Sequence, residues 1–275
     1  MDTLSVLSDY APLLDAEIPL FRAALGIALI EYPNMDWEKE LRKVEALVRK
    51  ASDRVASARS EEEAILLVNA YFFGDLGFRG NSDDYYNPRN SLLNEVLERR
   101  SGIPISISVI YLEVARGVGL NAFGVGFPGH FLVGYRLFGK CLYVDPFDAG
   151  RFLSRDDMQQ ILDRIYLGKV VFDESFLQPT NNRNILLRML NNLKAIYLEN
   201  RDHRKALEVL RCICAIDPRS APDLRDRGLV SYQLGKYEDA VHDLSRYLAV
   251  SGDPPDGTAV REVLKRLSSL LKKLQ

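Results

Sequence analysis

Apolar residues recur three and four positions apart in residues 11–30, 38–49 and 62–73, and this spacing predicts amphipathic helices there. Turn signals separate them. Residues 74–90, GDLGFRGNSDDYYNPRN, are rich in Gly, Asp and Asn and predict a loop ordered by burial of Phe78, Tyr85 and Tyr86. SLLNEVLERR follows as a short helix. GIPISISVIYLEVARGVGL predicts a longer one, because Pro104 suits a first helical position and Gly117 and Gly119 mark an end. Ile105, Ile107, Val109, Ile110, Leu112 and Val114 leave it little polar surface, so it is expected to be buried against a sheet. After Gly119 the pattern changes to short β-rich runs, NAFGVGF, HFLVGYRL and CLYVDPF, which predict an antiparallel meander. Helices followed by strands make the class α+β.

Residues 155–180 combine a short helix, SRDDMQQILDRI, with a strand-like GKVVFDESFL, and Pro179-Thr180-Asn181-Asn182 reads as a boundary. Two domains are therefore expected, residues 1–178 with an N-terminal helical extension and residues 179–275. The second is helical throughout and carries a repeat. Ala206 and Ala240 lie 34 residues apart, with His203 and Tyr237 three positions before each. GLVSYQLGKYEDAVHDLSRYLAV matches the tetratricopeptide pattern, and the preceding unit closes on Asp217-Pro218. A last helix over 258–274, with Val260, Val263, Leu264, Leu267 and Leu271, is expected to cap the stack. Such an array presents a concave surface to a protein or peptide partner, with Tyr232 and Tyr237 as candidate contact residues.

Charge narrows the choice of partner. Thirty-six basic and 38 acidic residues give a formal net charge of −2, which offers no field to gather nucleic acid. The N-terminus MDTLSVLSDYAPLL opens on an acid and predicts no leader segment. IPLFRAALGIALI, 13 residues with Pro19 and Arg22 inside, is too short and too broken to span a bilayer. Three cysteines form no disulfide framework, as expected of a reducing compartment, so the expected location is the cytoplasm.

Candidate chemistry centres on FPGHFLVGY and YVDPFDAG, which place His130 and Asp145 on successive strands, the base and orienter of a nucleophilic triad. A two-residue loop at Phe138-Gly139 pairs Leu137 with Lys140 and sets His130 and Asp145 on one face as diagonal neighbours, roughly 7–8 Å apart at the backbone. A three-residue loop slips the register and sends them to opposite faces. The alternative reading is a hydrogen-bonded sheet His beside an Asp that opens a turn before Pro146. No cysteine sits at a helix start, where the macrodipole favours the thiolate. Cys141 lies about 13 Å along the strand from Asp145 and reads as a core thiol. Cys212 and Cys214 point to different faces of one helix and make a poor metal pair, and His203 and His242 are not placed to help. Neither a metal nor a cofactor is expected.

The run from YFFGDLGFRGNSDDYYNPRN through GIPISISVIYLEVARGVGLNAFGVGFPGHFLVGY to YVDPFDAG resembles the transglutaminase-like core of bacterial SirB-type proteins, which join it to C-terminal tetratricopeptide repeats. The resemblance implies a papain-like or transglutaminase-like fold of N-terminal helices, a central buried helix and an antiparallel sheet. It also implies a Cys at the start of that helix, facing a His and an Asp on neighbouring strands. A Gly follows the family's Cys at a spacing that here joins Pro104 to Gly119. The His then resembles His130 and the Asp resembles Asp145, while Pro104 fills the nucleophile position, with neither a nucleophile nor a backbone donor. Ser106 lies a rotation of about 200° from residue 104, and Ser108 shares its face one turn deeper. Both suit a hydroxyl bonded to a carbonyl one turn back.

The function expected is therefore a non-catalytic, degenerate transglutaminase-like protein that binds or regulates a protein partner. The enzymatic alternative is residual acyl transfer or peptidase activity by Ser108 or another non-Cys nucleophile with His130 and Asp145, and a scaffold acting through the repeat groove alone is a third reading. The resemblance also puts Asp83, Asp84, Arg89 and Asn90 near the cleft mouth as ligand-selecting candidates. The competing reading is an Asx-type turn capping the next helix through Asn90 or Ser91. Arg99 and Arg100 either pair with acids in the cleft or complement a helix end.

Overall fold

The computed structural model describes residues 2–274. They pack as two compact units, one of residues 14–189 and one of residues 2–13 with 190–274. The first helix, α1 (Thr3–Tyr10), capped by Asp2 through the Ser5 N–H, belongs to the second of these. In the first unit the helix expected across 11–30 is interrupted. Pro12 and Pro19 flank a single 3-10 turn at Asp15–Glu17, and α2 covers only Leu20–Gly26. Next come α3 (Trp37–Val55) and α4 (Glu61–Asn69), with Asp36 and Ser60 as side-chain N-caps. A π-turn at Ala70–Asp75 ends α4. Two residues, β1 (Arg79–Gly80), then pair in parallel with β2 (Ser101–Gly102) around α5 (Leu93–Arg99).

The central helix α6 (Pro104–Gly117) starts on Pro104 and is buried as its all-round apolar pattern predicts. Gly117 is required where α6 crosses α3, since a Cβ there would stand 2.6 Å from Val48. The sheet is β3 (Ala122–Val125), β4 (Leu132–Leu137), β5 (Lys140–Asp145) and β6 (Arg151–Phe152), antiparallel in that order. Helix α7 (Arg155–Tyr166) follows. Side chains three apart on a strand point to opposite faces, and Tyr135 and Leu132 do so here. Tyr135 donates its hydroxyl to Tyr111 of α6 at 2.7 Å, and Tyr111 donates in turn to Asn69, whose amide holds the Gly150 carbonyl. Leu132 packs with Phe123, Val125 and the α7 residues Met158, Ile161 and Leu162. The sheet is thus covered by α6 on one face and α7 on the other.

Three local expectations are corrected. GKVVFDESFL forms no strand, because the Gln159 side chain takes up its backbone, donating to the Val170 carbonyl and accepting from the Phe172 N–H. In the 74–90 loop Phe78 is buried, but Tyr85 and Tyr86 are exposed; Asn90 orders that segment instead. Cys141 is exposed rather than a core thiol, because it lies where β5 has no partner on its second side, β6 pairing only with Val144 and Asp145. At the expected boundary, Pro179 bridges to Val125 and Thr180 donates to the Gly124 carbonyl, and the chain stays in the first unit as far as Met189.

α8 runs Asn182–Glu199, its residues up to Met189 belonging to the first unit. The second unit continues with α9 (His203–Ile216), α10 (Ala221–Gln233), α11 (Tyr237–Ser251) and α12 (Gly257–Leu274). α10 and α11 form the repeat hairpin. Gly228, the small position of the pattern, brings the helices so close that a Cβ would meet Leu244 at 2.7 Å, and Gly235 makes the turn with φ of 72°. Tyr232 and Tyr237, with ring centroids 6.1 Å apart, pack on the core of Leu224, Ala240 and Leu244 and are half-buried. Arg227 holds the buried Asp243 with two hydrogen bonds of 2.6 Å.

Candidate functional site: a His–Asp pair in a cleft

The site begins with the hairpin. Phe138 and Gly139, with φ of 41° and 83°, make the two-residue turn that pairs Leu137 with Lys140. The register continues to Val133 opposite Val144, so Asp145 ends β5 on the face of Tyr143 and Leu132, the face that α7 covers. His130 stands in the turn before β4, with its N–H on the Phe127 carbonyl and Gly129 ahead of it at φ of 66°. A Cβ on Gly129 would meet Ile165 of α7 at 2.7 Å, so glycine is needed for both the turn and the close approach.

His130 Nε2 and Asp145 Oδ2 are 2.8 Å apart, with side chains only 11% and 4% exposed. Asp145 Oδ1 accepts the Phe147 N–H at 2.9 Å, and the edge of the His130 ring meets Phe147. The carboxylate fixes the imidazole: with Nε2 donating to Asp145, a neutral ring keeps Nδ1 as its acceptor. The pair opens into a cleft of about 450 Å³ lined by Gly80, Ser82, Phe147 and Asp148 and, from α7, by Ile161, Arg164 and Ile165. Besides the pair itself, Phe147, Ile161 and Ile165 give the cleft apolar walls, and Asp148, Arg164 and Ser82 add one acid, one base and one hydroxyl.

The other expected site residues lie elsewhere. Pro104 is buried at the first position of α6 and does not line the cleft. Ser106 donates to the Asn90 carbonyl at 2.6 Å and Ser108 to the Pro104 carbonyl at 2.7 Å, both with no exposed surface. Asp83 is exposed, Asp84 accepts from the Asn87 side chain, and Arg89 grips Glu95 at 2.7 Å. Arg100 donates to the Leu76 carbonyl and lies over the Phe78 ring. Asn90 is fully buried: it donates to the carbonyls of Asp84 and Tyr85 and accepts from Asn81 and Arg99. None of these six lines the cleft. Cys212 and Cys214 are buried in the second unit, where desolvation pushes their thiols up to about 12 and about 11. Among the described residues no group of three or more His, Cys, Asp or Glu is placed to hold a metal ion, and no helix is long and apolar enough to cross a membrane.

Sequence reasoning missed Arg188. Its guanidinium donates to the His130 carbonyl at 2.6 Å and to the Phe127 carbonyl at 3.3 Å, and lies over the Phe131 ring. Burial lowers its pKa from the usual guanidinium value. Arg188 thereby fixes both ends of the turn that presents His130. An arginine inside the helical run NILLRML gives no sign of this, since its partners are backbone atoms some sixty residues earlier in the chain, from Phe127 to His130.

A sheet hairpin presenting a His–Asp pair beside a long buried helix, followed by helical repeats, defines the class. The chain belongs to the transglutaminase-like superfamily, whose family model matches residues 38–191, and a tetratricopeptide-repeat model matches residues 193–265. Its relatives include the UPF0162 protein of Xylella fastidiosa strain 9a5c, 39% identical over 93% of this chain and 92% of that protein. The UPF0162 protein PA3419 of Pseudomonas aeruginosa is 30% identical over 90% and 91%. Protein SirB1 of Salmonella typhimurium is 26% identical over 94% and 93%. No solved structure matches the chain.

Proposed function

We propose that the cleft binds an extended segment of a protein partner without covalent chemistry, and that the repeats supply a second docking surface, making the protein a regulatory adaptor of the cytoplasm. One observation carries this reading. The start of α6, where the family resemblance puts the nucleophile, is Pro104, and the two hydroxyls behind it are buried and spent on the carbonyls of Asn90 and Pro104. The lining supports a peptide ligand: Phe147, Ile161 and Ile165 offer apolar contact, while Arg164 and Asp148 select polar neighbours. Exposed Tyr85, whose ring meets Phe147, extends the apolar surface outward.

The test is panning of the full chain against a displayed library of linear peptides. Enriched sequences carrying an apolar anchor are expected, with binding lost at least about ten-fold in Ile165→Asp, which buries a charge in the anchor's place. No enrichment, or enrichment indifferent to Ile165→Asp, contradicts the reading. The second reading, hydrolysis or acyl transfer, is favoured by one observation: Ser82 brings a hydroxyl to the cleft that His130 lines.

A further inference from the structure

Gly80 and His130 both line the cleft, and each brings polar groups to it that the protein itself does not use. On β1 the Arg79 N–H donates to the Arg100 carbonyl at 3.0 Å and the Asn81 N–H to the Gly102 carbonyl at 2.9 Å, so these two residues turn their peptide groups toward β2. Successive residues of a strand present their N–H and C=O to opposite edges, and Gly80 therefore turns its own pair away from β2. β1 has no neighbour on that edge, because its sheet holds two strands, and among the described residues neither main-chain group of Gly80 has a partner. A free strand edge is a template for one more strand.

Phe147 sets how the edge and the imidazole stand to each other. Gly80 is half-buried, and a Cβ on it would stand 2.5 Å from the Phe147 ring, so that ring takes the place of a side chain and covers one face of β1. The same ring meets His130, with centroids 5.9 Å apart, which makes Gly80 and His130 neighbours across a single ring. His130 spends Nε2 on Asp145. Its Nδ1 has no partner among the described residues and is not sealed from solvent, although the side chain is only 11% exposed. The open groups are thus one N–H and one C=O of a single residue, with a ring acceptor beside them. A carboxylate or phosphate answers only the N–H; an ammonium answers only the acceptors, and Arg164 in the same lining opposes it. An extended main chain brings one N–H and one C=O per residue at the spacing of a strand.

We propose that the partner segment binds as an added strand on the free edge of β1, exchanging main-chain hydrogen bonds with Gly80 and donating a further main-chain N–H to His130 Nδ1. This mode rests on the peptide-binding reading of the cleft and gives it a rule: affinity comes from the backbone, and sequence preference from the side chains that reach Ile161 and Ile165.

The experiment follows the isotope-labelled full chain by NMR, free and saturated with a peptide enriched in the panning above, and repeats the titration with that peptide N-methylated at each residue in turn. In the free protein the Gly80 amide is expected to exchange rapidly with solvent and the bonded Asn81 amide slowly; in the complex Gly80 exchange slows at least about ten-fold, as one new hydrogen bond requires. N-methylation is expected to weaken binding about ten-fold where the N–H faces β1 or His130, and little at the alternate positions. At one sensitive position the loss disappears in His130→Phe, which keeps a ring against Phe147 and removes the acceptor. The ring nitrogens of His130 give a readout without substitution: the Nδ1 resonance shifts on binding as it accepts the N–H, while Nε2 keeps its proton. A Gly80 amide already protected in the free protein, or still unprotected in the complex, or N-methylation without effect at every position, overturns strand addition while the loss of binding in Ile165→Asp leaves peptide binding standing. The absence of any enriched peptide overturns both.

Discussion

Asn90→Ala is expected to destabilise the first unit by about 3 kcal/mol, measured by urea unfolding, because several buried groups lose their partners at once. The Asn90 amide donates to the carbonyls of Asp84 and Tyr85, and its oxygen accepts from Asn81 and Arg99. With no exposed surface at residue 90, water does not replace these bonds without opening the loop. The Asn90 backbone carbonyl also receives the Ser106 hydroxyl and the Ile103 N–H, so the same residue ties the 81–85 loop to the start of α6. Faster hydrogen exchange in residues 81–87 accompanies the loss. A variant within about 0.5 kcal/mol of wild type, the range of an ordinary surface change, contradicts this role.

Arg188→Met is the second large effect, about 2 kcal/mol by the same measurement. Methionine fills much of the space of the arginine stem but removes the guanidinium from over Phe131, leaves the His130 carbonyl without the Arg188 donor, and leaves the Phe127 carbonyl with the His130 N–H alone. The effect extends to the site, since those carbonyls bracket the turn that aims His130 at Asp145. The His130 amide, bonded to the Phe127 carbonyl, is expected to exchange faster in Arg188→Met while the amides of β5 keep their protection. Equal loosening of turn and strand would mean that Arg188 acts only on global stability.

The contrast between Asp145 and Arg188 shows what the sequence made legible. The His130–Asp145 contact followed from a turn of two residues, because turn length sets the hairpin register and register sets the face. The same reasoning located α6, whose Pro and Gly signals and unbroken apolar character are local properties of the chain. What was not legible depends on contacts between distant segments. Ile165 and Arg164 come to the cleft because α7 folds over the sheet, and Ser82 because the chain leaving β1 lies beside Phe147; Arg188 reaches the 127–130 turn because α8 returns to it. No spacing in the sequence announces any of these. Cys141 was misread for a related reason: a β-rich run reads as buried until the neighbouring strand is known to stop at Val144. The strand expected in GKVVFDESFL failed because one side chain, Gln159, satisfied the backbone that a sheet partner was expected to satisfy.

The proposal that the cleft binds without bond formation is tested most directly by intact-mass analysis after exposure to two reagents at neutral pH, a fluorophosphonate for activated serines and iodoacetamide for thiolates. The fluorophosphonate is expected to leave the mass unchanged. Iodoacetamide is expected to add one group, at exposed Cys141. Cys212 and Cys214 remain protonated, because thiolate is the reactive form and their pKa values of about 12 and about 11 lie far above the reaction pH. A stoichiometric fluorophosphonate adduct on Ser82 that disappears in His130→Ala would contradict the account and make the cleft an active site.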